Sequence, residues 1–499
     1  MIAITMNSIS LSLLMIFALT KNALVSCVDY YASRFDRVSA TEDSLGSNER
    51  KVEIAGDYEV TYGDYFKIVR TKCAFEYALK NPDKCERQTY VLRKRAMQKP
   101  TVDPVTLEPI EGNNGTTVKH FEIPAKNISV GGTYVMAYLE VLGVSMDVLK
   151  LMDSGYMHSP CMQKAKNDGL FTGDVSVYDS TAWSEKCDEL NVDLAFTDEF
   201  LYGYCENREN VNLVFHGNSD DTALLRAEWI KFMSLFFDKE QFANEYYALE
   251  AEAYKAVKSF VNTTVVNTAA NASKKLKCVW VQQFCFGTCR YEIMFDTYRS
   301  TLCSDAGMIP FVSTDSSAGE KKSFTADEIE AFHSAIRDYD VVIDESYYSD
   351  VSSFAVTDYE ENLGFNELSG TTVKAKSGNG GKLLRVDASM GLSNTTDLKE
   401  SGEVRPSLLL NNLVSTVHGT FKAHEDCPVY FRLATEKEIY VTHEDCANFT
   451  LADIEKKCVT ALRDQAILLT TSGASYSLST SSIHIVVAIV LTTTYLLLF

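Results

Sequence analysis

The sequence predicts an α/β protein of two lobes, with mostly parallel sheets joined by a long spine helix or by two nearly collinear ones. Three observations carry this. Residues 218–260 (NSDDTALLRAEWIKFMSLFFDKEQFANEYYALEAEAYKAVKSF) contain neither Gly nor Pro, and Leu225, Trp229, Phe232 and Phe236 fall at helical spacing. Short apolar runs alternate with helical patterns on both sides of that stretch, as strands buried on both faces do in a parallel sheet. The 499-residue length also exceeds what one hydrophobic core usually serves.

Composition narrows the function classes. The formal charge of −21 excludes the basic footprint that nucleic acid requires, and it disfavours docking on anionic lipid. Ile9–Leu19 is a short apolar core of a signal peptide, and Val25-Ser26-Cys27 offers small residues for cleavage, so 1–27 are expected to be removed. At the other end, 461–484 are Ser/Thr-rich. Residues 485–499 (IVVAIVLTTTYLLLF) are expected to serve as a glycolipid-anchor signal after Ser472-Gly473-Ala474-Ser475, or as a retained membrane segment. Cleavage after Cys27 leaves twelve of the thirteen cysteines, which in a secretory context read as disulfides. Sequons at Asn114, Asn127, Asn262, Asn271, Asn394 and Asn448 agree with a cell-surface or lumenal glycoprotein.

Within 28–217, the first lobe, residues 28–117 are the least regular, although Val60–Val69 alternates like a strand. From His120 to Val130 the pattern is strand-like. Tyr134–Leu142 is a helix closed by Gly143, Val148–Met152 a strand, and Met162–Asn167 a helix. Val192–Thr197 and Val211–Phe215 are further strands. The spine, 218–262, takes Ser219 and Asp220 as N-cap residues and places Trp229 in the interface between lobes. In the second lobe, 263–460, Val279–Val281 begins a strand, Tyr291–Ala306 is a helix and Met308–Val312 a strand. Thr325 and Glu328 form a capping box that opens a helix to Ile336. Val341–Ile343 and Lys382–Val386 are strands, Ser407–Val417 is a helix, and Tyr430–Leu433 with Ile439–Val441 make a terminal hairpin.

No constellation in the chain argues for catalysis, so a non-enzymatic protein is expected. Gly378-Asn379-Gly380-Gly381-Lys382 lacks the phosphate-loop spacing, and neither HExxH nor GxSxG occurs. His424-Glu425-Asp426-Cys427 and His443-Glu444-Asp445-Cys446 read as disulfide surroundings rather than zinc ligands, and Cys285–Cys289 as structural.

Several stretches resemble the substrate-binding proteins of bacterial cobalamin and ferric-siderophore importers: IPAKNISVGGTYVMAYLEVLG at 123–143 with the Ser159–Cys161 loop, RAEWIKFMSLFFDKEQFA at 226–243, and RPSLLLNNLVSTVH at 405–418. Together with the signal peptide, cysteines and anchor, the chain also resembles the cobalamin acquisition proteins of eukaryotic algae. The resemblance implies a two-lobed substrate-binding-protein-like fold, capture of cobalamin as a transported ligand with no catalytic cofactor, and a membrane uptake partner.

Ligands of open α/β sheets sit beyond the carboxyl ends of the strands. That selects Thr133, Tyr134, Tyr156, His158, Phe200, Tyr202 and His216 from the first lobe, and Gln282, Gln283, Phe284, Glu345, Tyr347 and Tyr348 from the second. The aromatics would cover a flat ring and the amides and carboxylate would hydrogen-bond its rim. Two alternatives stand beside this. One is a ferric-iron or siderophore receptor with Tyr347 and Tyr348 as iron ligands; the other is a surface adhesion or coat protein with no small ligand.

Overall fold

The computed structural model describes residues 58–71, 88–110, 117–170, 172–197, 203–218, 221–266, 275–313, 319–348, 351–364, 381–391, 394–419, 427–448 and 458–472. The expected signal peptide and anchor, Phe200, Tyr202, Asn114, Asn271, Cys73 and Cys85 lie outside them.

The described residues open with a four-stranded sheet, which falls largely within the stretch 28–117 expected to be the least regular. Its strands are β1 (Tyr58–Tyr62), β2 (Phe66–Thr71), β3 (Gln88–Lys94) and β4 (Thr117–Ile123), in that order and antiparallel except for β3 with β4. Tyr58, Val69, Tyr90, Leu92 and Phe121 are buried in the same core as the first lobe, so what holds this sheet is tertiary packing. The run 120–130 divides at the cis Ile123–Pro124 bond, and the chain passes from β4 into β5 (Ile128–Val130) of a different sheet.

The first lobe is a five-stranded parallel sheet in the order β7-β6-β5-β8-β9, with β6 (Leu149–Met152), β7 (Gly173–Asp174), β8 (Leu194–Thr197) and β9 (Asn212–Val214). Helices α1 (Thr133–Val141), α2 (Ser145–Val148), α3 (Pro160–Asn167) and α4 (Ser180–Glu189) connect them. Gly143, at φ +68°, closes α1 as expected. β5 runs on to β6 on one side and its neighbour β8 runs on to β9 on the other, so the connections diverge at the carboxyl ends of β5 and β8, and a crevice opens there.

The spine is two helices, α5 (Ala223–Ser234) and α6 (Glu240–Phe260), and the N-cap is Thr222, whose hydroxyl accepts the Leu225 N–H at 3.2 Å. The break is built around a buried cation. Lys67 of β2 donates to the carbonyl of Leu235 at 2.9 Å and pairs with Asp238 and Glu240 at 2.7 and 2.5 Å, while Asp238 adopts φ +54°. A cation on the orphaned carbonyls of a helix end stabilises the termination, and two carboxylates offset its burial. Trp229 is in the first-lobe core and not in the lobe interface, meeting Tyr58, Phe215 and Phe232 at ring distances of 6.0, 5.4 and 5.1 Å. The carboxyl half of α6 supplies Ala253, Tyr254, Val257 and Phe260 to the second lobe's core.

That lobe carries a seven-stranded mixed sheet. Strands β10 (Lys277–Phe286), β11 (Thr288–Met294), β12 (Ile309–Pro310), β13 (Lys321–Thr325), β14 (Val341–Asp344), β15 (Lys382–Arg385) and β17 (Arg432–Leu433) follow the order β13-β11-β10-β14-β15-β17, with β12 also on β10. Tyr291–Met294, expected to begin a helix, belongs to a β10–β11 hairpin turned at Gly287 (φ +81°) and stapled by Cys285–Cys289; the helix, α7, is Thr297–Asp305. β11 is a strand because β10 and β13 pair with it on either side, which a single-segment reading does not see. The Thr325–Glu328 capping box is present and α8 spans Ile329–Ile336; α9 is Val356–Asn362 and α10 is Pro406–His418. The expected terminal hairpin does not form. β17 pairs antiparallel with β15, and β18 (Ile439–Tyr440) pairs parallel with β16 (Ser389–Met390).

Among the described residues, disulfides join Cys161–Cys446, Cys187–Cys205, Cys278–Cys303, Cys285–Cys289 and Cys427–Cys458, which is the pattern of a protein folded in an oxidising compartment. Residues 461–472, expected to be part of a stalk, form α11 (Ala461–Ser472), which buries Leu462 and Ala466 in the second lobe's core. No helix among the described residues is long and apolar enough to cross a membrane.

Candidate functional site

A cavity of about 450 Å³ lies where the carboxyl ends of β5, β6 and β7 face the second lobe. Its first-lobe wall is the β5–α1 turn Gly131–Tyr134, then Asp153 and Tyr156 after β6, and Val177 and Tyr178 after β7. Asn218 and Arg226 come from the start of the spine, and Arg299, Lys399 and Glu403 from the second lobe. This is the switch-point geometry of an open α/β sheet, closed over by a second domain. Gly132 caps α1 without a side chain, and a Cβ there would lie 2.4 Å from the Tyr134 ring, so a larger residue would displace that ring from the cavity wall.

Polar groups in the wall are fixed by one another. Arg226 Nη1 donates to both oxygens of Glu403 at 3.1 and 3.0 Å, and its guanidinium lies 3.6 Å from the centre of the Tyr298 ring. Arg299 Nη2 donates to Glu345 at 2.7 Å and Nη1 to Asp296, and Lys399 Nζ is 3.7 Å from Glu345. Burial opposes ionisation of Glu345, but Lys399 and Arg299 outweigh it and hold its carboxyl below the usual range. Three cations therefore meet four carboxylates, Glu403, Asp153, Glu345 and Asp296, and the cavity carries no net positive charge. At its mouth Tyr156 and Tyr178 are 47% and 64% exposed and pack edge to face at 6.3 Å, leaving aromatic surface open to an incoming ring.

Of the residues selected from the sequence, the structure brings Thr133, Tyr134 and Tyr156 to this cavity. Tyr134 lines it while donating its hydroxyl to the Phe215 carbonyl at 2.9 Å. Glu345 stands behind the wall, holding Arg299 and Lys399. The other described ones do not line it. His158 is buried at the lobe junction, His216 is half-buried beyond β9 with burial pushing its imidazole down to about 4, and Gln282, Gln283 and Phe284 are in the β10–β11 hairpin. Gln282 donates to Glu292 at 2.5 Å, Gln283 to the Asn362 carbonyl at 2.8 Å, and Phe284 is exposed.

Tyr347 is exposed, whereas Tyr348 turns into the second lobe against Phe354 and Tyr359 with its hydroxyl on Asp344. Burial and Asp344 raise the Tyr348 hydroxyl above its ordinary range, which opposes the tyrosinate form that ferric iron requires. No cluster of three His, Cys, Asp or Glu side chains suited to a metal ion occurs among the described residues.

Asp153, Tyr178, Arg226, Arg299, Lys399 and Glu403 were not legible as site residues. The last two fall in a charged run, Asp397–Arg405, whose only sequence signal is its position immediately before the helix α10. Asn127 and Asn394 are half-buried and Asn262 is exposed in the turn after α6, so Asn262 presents the most open of these three sequons.

Next to the cavity, buried carboxylates cross the lobe junction. Glu140 of α1 accepts the Ser159 hydroxyl at 2.5 Å. Burial pushes its carboxyl up to about 7 against the opposing effects of Ser159 and Arg405. The native state then retains a proton that the unfolded chain releases. Stability from this group is fully present below about 4.5 and is lost as pH rises to about 7, roughly 3 kcal/mol in all. Glu140→Gln is expected to flatten that decline, read by denaturant unfolding at pH 5 and pH 8. An unchanged difference between the two pH values would exclude Glu140 as its source.

Neither a family model nor a curated protein matches the sequence. Solved structures similar to the chain include a periplasmic binding protein of Veillonella parvula (12% identity, 60% of this chain and 93% of that one, TM-score 0.41). An ABC transporter substrate-binding protein of Listeria monocytogenes also matches (16%, 59% and 100%, 0.41). Helicobacter pylori CeuE with Ni(II) bound is a third (14%, 60% and 85%, 0.40). The similarity is distant.

Proposed function

We propose that this chain is an outward-facing capture protein that holds a small organic ligand in the cavity between its lobes and passes it to a membrane uptake partner. The cavity at the switch point of the first sheet, closed by Arg299, Lys399 and Glu403, is the observation that carries the reading. Its volume suits a drug-sized ligand or one part of a larger one. With every wall cation matched by a carboxylate, a polyanionic ligand has little to gain, whereas an uncharged, amide-rich molecule with a flat face can use both the paired polar groups and the open tyrosines.

A corrinoid has that chemistry, and it is also the ligand implied by the resemblance to cobalamin acquisition proteins. Capture at the cell surface, with the carboxyl-terminal segment as anchor, completes the proposal. A ferric siderophore is the second reading, favoured by Lys399 alone, which is the most exposed of the wall cations and stands 3.7 Å from Glu345, so that it can still meet an anionic chelate.

Titration of the purified ectodomain with cyanocobalamin tests the first reading. Saturable binding at or below about micromolar is expected, and its absence sinks the corrinoid assignment. Tyr178→Ala should weaken that binding about tenfold, about 1.4 kcal/mol, with melting unchanged, because the ring is exposed. Tighter binding of a ferric chelate than of cyanocobalamin would select the second reading.

A further inference from the structure

Met157–Gln163 of the first lobe is gripped by the second. Cys161 of α3 is bonded to Cys446, 285 residues later, while the other described disulfides join residues no more than 31 apart. The main-chain N–H groups of His158 and Ser159 donate to the two oxygens of Glu400 at 3.0 and 2.8 Å. His158 Nε2 lies 2.9 Å from Ser389 Oγ, and its Nδ1 lies 3.3 Å from Asp397. A Cβ at Gly391 would sit 2.9 Å from the Met157 carbonyl oxygen and 3.1 Å from His158 Cα, so the two backbones meet at a distance that only glycine allows.

This joint is continuous with both walls of the cavity. Tyr156 immediately precedes the gripped segment, and Lys399 and Glu403 flank Glu400. Among the described residues the lobes are thus joined through α5 and α6 and again here. A hinge about the helical connection alone would have to break the second connection.

We propose that Met157–Gln163 is a latch that holds the cavity at fixed width, the Cys161–Cys446 bond being its covalent half and Glu400 its polar half. The proposal deepens the capture reading by stating how the site is held, but its test needs no ligand, so either can fail without the other. The closed latch keeps the site preorganised, and binding need not include the ordering of two lobes. Two thiols of an added reductant open its covalent half. They supply two electrons and two protons, the S–S bond breaks to leave Cys161 and Cys446 as free thiols, and the reductant becomes the disulfide.

Amide hydrogen exchange on the full chain decides it, comparing wild type with Cys161→Ser/Cys446→Ser and with the within-lobe control Cys278→Ser/Cys303→Ser. Exchange across 157–163 is expected to rise at least about tenfold in the first variant and to stay at wild-type level in the control, with a larger radius of gyration only in the first. Wild-type exchange at 157–163 in the folded first variant, or an equal rise in the control, overturns the latch. Glu400→Ala keeps the disulfide and provides the arm that survives a failure of the cysteine variant to fold. The His158 and Ser159 amides should exchange at least about tenfold faster, and unchanged exchange there overturns the polar half of the proposal.

Discussion

Trp229→Ala is expected to lower the unfolding free energy by about 3–5 kcal/mol, measured by denaturant unfolding of the purified protein. The indole is 3% exposed and is ringed by Tyr58 of the amino-terminal sheet, Phe215 after β9 and Phe232 one turn further along α5. Alanine would leave a cavity bordered by elements from three parts of the chain, none of which can collapse into it without moving a strand or a helix. The loss falls on the first lobe and its attached sheet, because the second core contains none of these rings. A cost below about 1 kcal/mol would show that the amino-terminal sheet does not pack on α5 as described.

The second large effect is expected in the other lobe. Asp387 is 1% exposed and accepts from Arg385 Nε and Nη2 at 3.0 and 2.8 Å and from Arg432 Nε at 2.7 Å. Arg385 also donates to Asp344 at 2.6 Å, and Arg432 to the Tyr359 hydroxyl at 2.7 Å. A buried ion network of this kind contributes little net stability while complete, since desolvation offsets attraction. Removal of its shared acceptor is different. Asp387→Ala leaves two buried guanidinium groups competing for fewer carboxylates, at a cost of about 3–5 kcal/mol. Thermal and denaturant unfolding of the variant measure it; a loss under about 1 kcal/mol would mean that water reaches the site and replaces the carboxylate.

Much of the architecture was legible because it depends on local signals. The glycine-terminated helix α1, the buried strands β8, β9, β14 and β15, the Thr325–Glu328 box and α10 each carry their own pattern of apolar spacing or capping. The misreadings share a cause. Tyr291–Met294 is a strand because β10 and β13 pair with it, and β17 and β18 pair with β15 and β16 rather than with each other; of the single helix and the two successive ones that 218–260 allowed, Lys67 of a distant sheet selects two.

For the site, strand-end logic reached Thr133, Tyr134 and Tyr156, whose positions follow from β5 and β6. It did not reach Arg226, Arg299, Lys399 or Glu403, which come from two helices and a short charged run. The sequence by itself determined the cysteine content that the described disulfides use, the alternation of buried strands and helices on either side of residues 218–260, and the strand ends that border the cavity. Tertiary structure alone decided which charges meet across the lobes, where the spine bends, and that Cys161 finds Cys446. Helical and strand periods are properties of a few neighbouring residues, whereas a salt bridge, a disulfide or a cavity wall depends on where segments hundreds of residues apart come to rest.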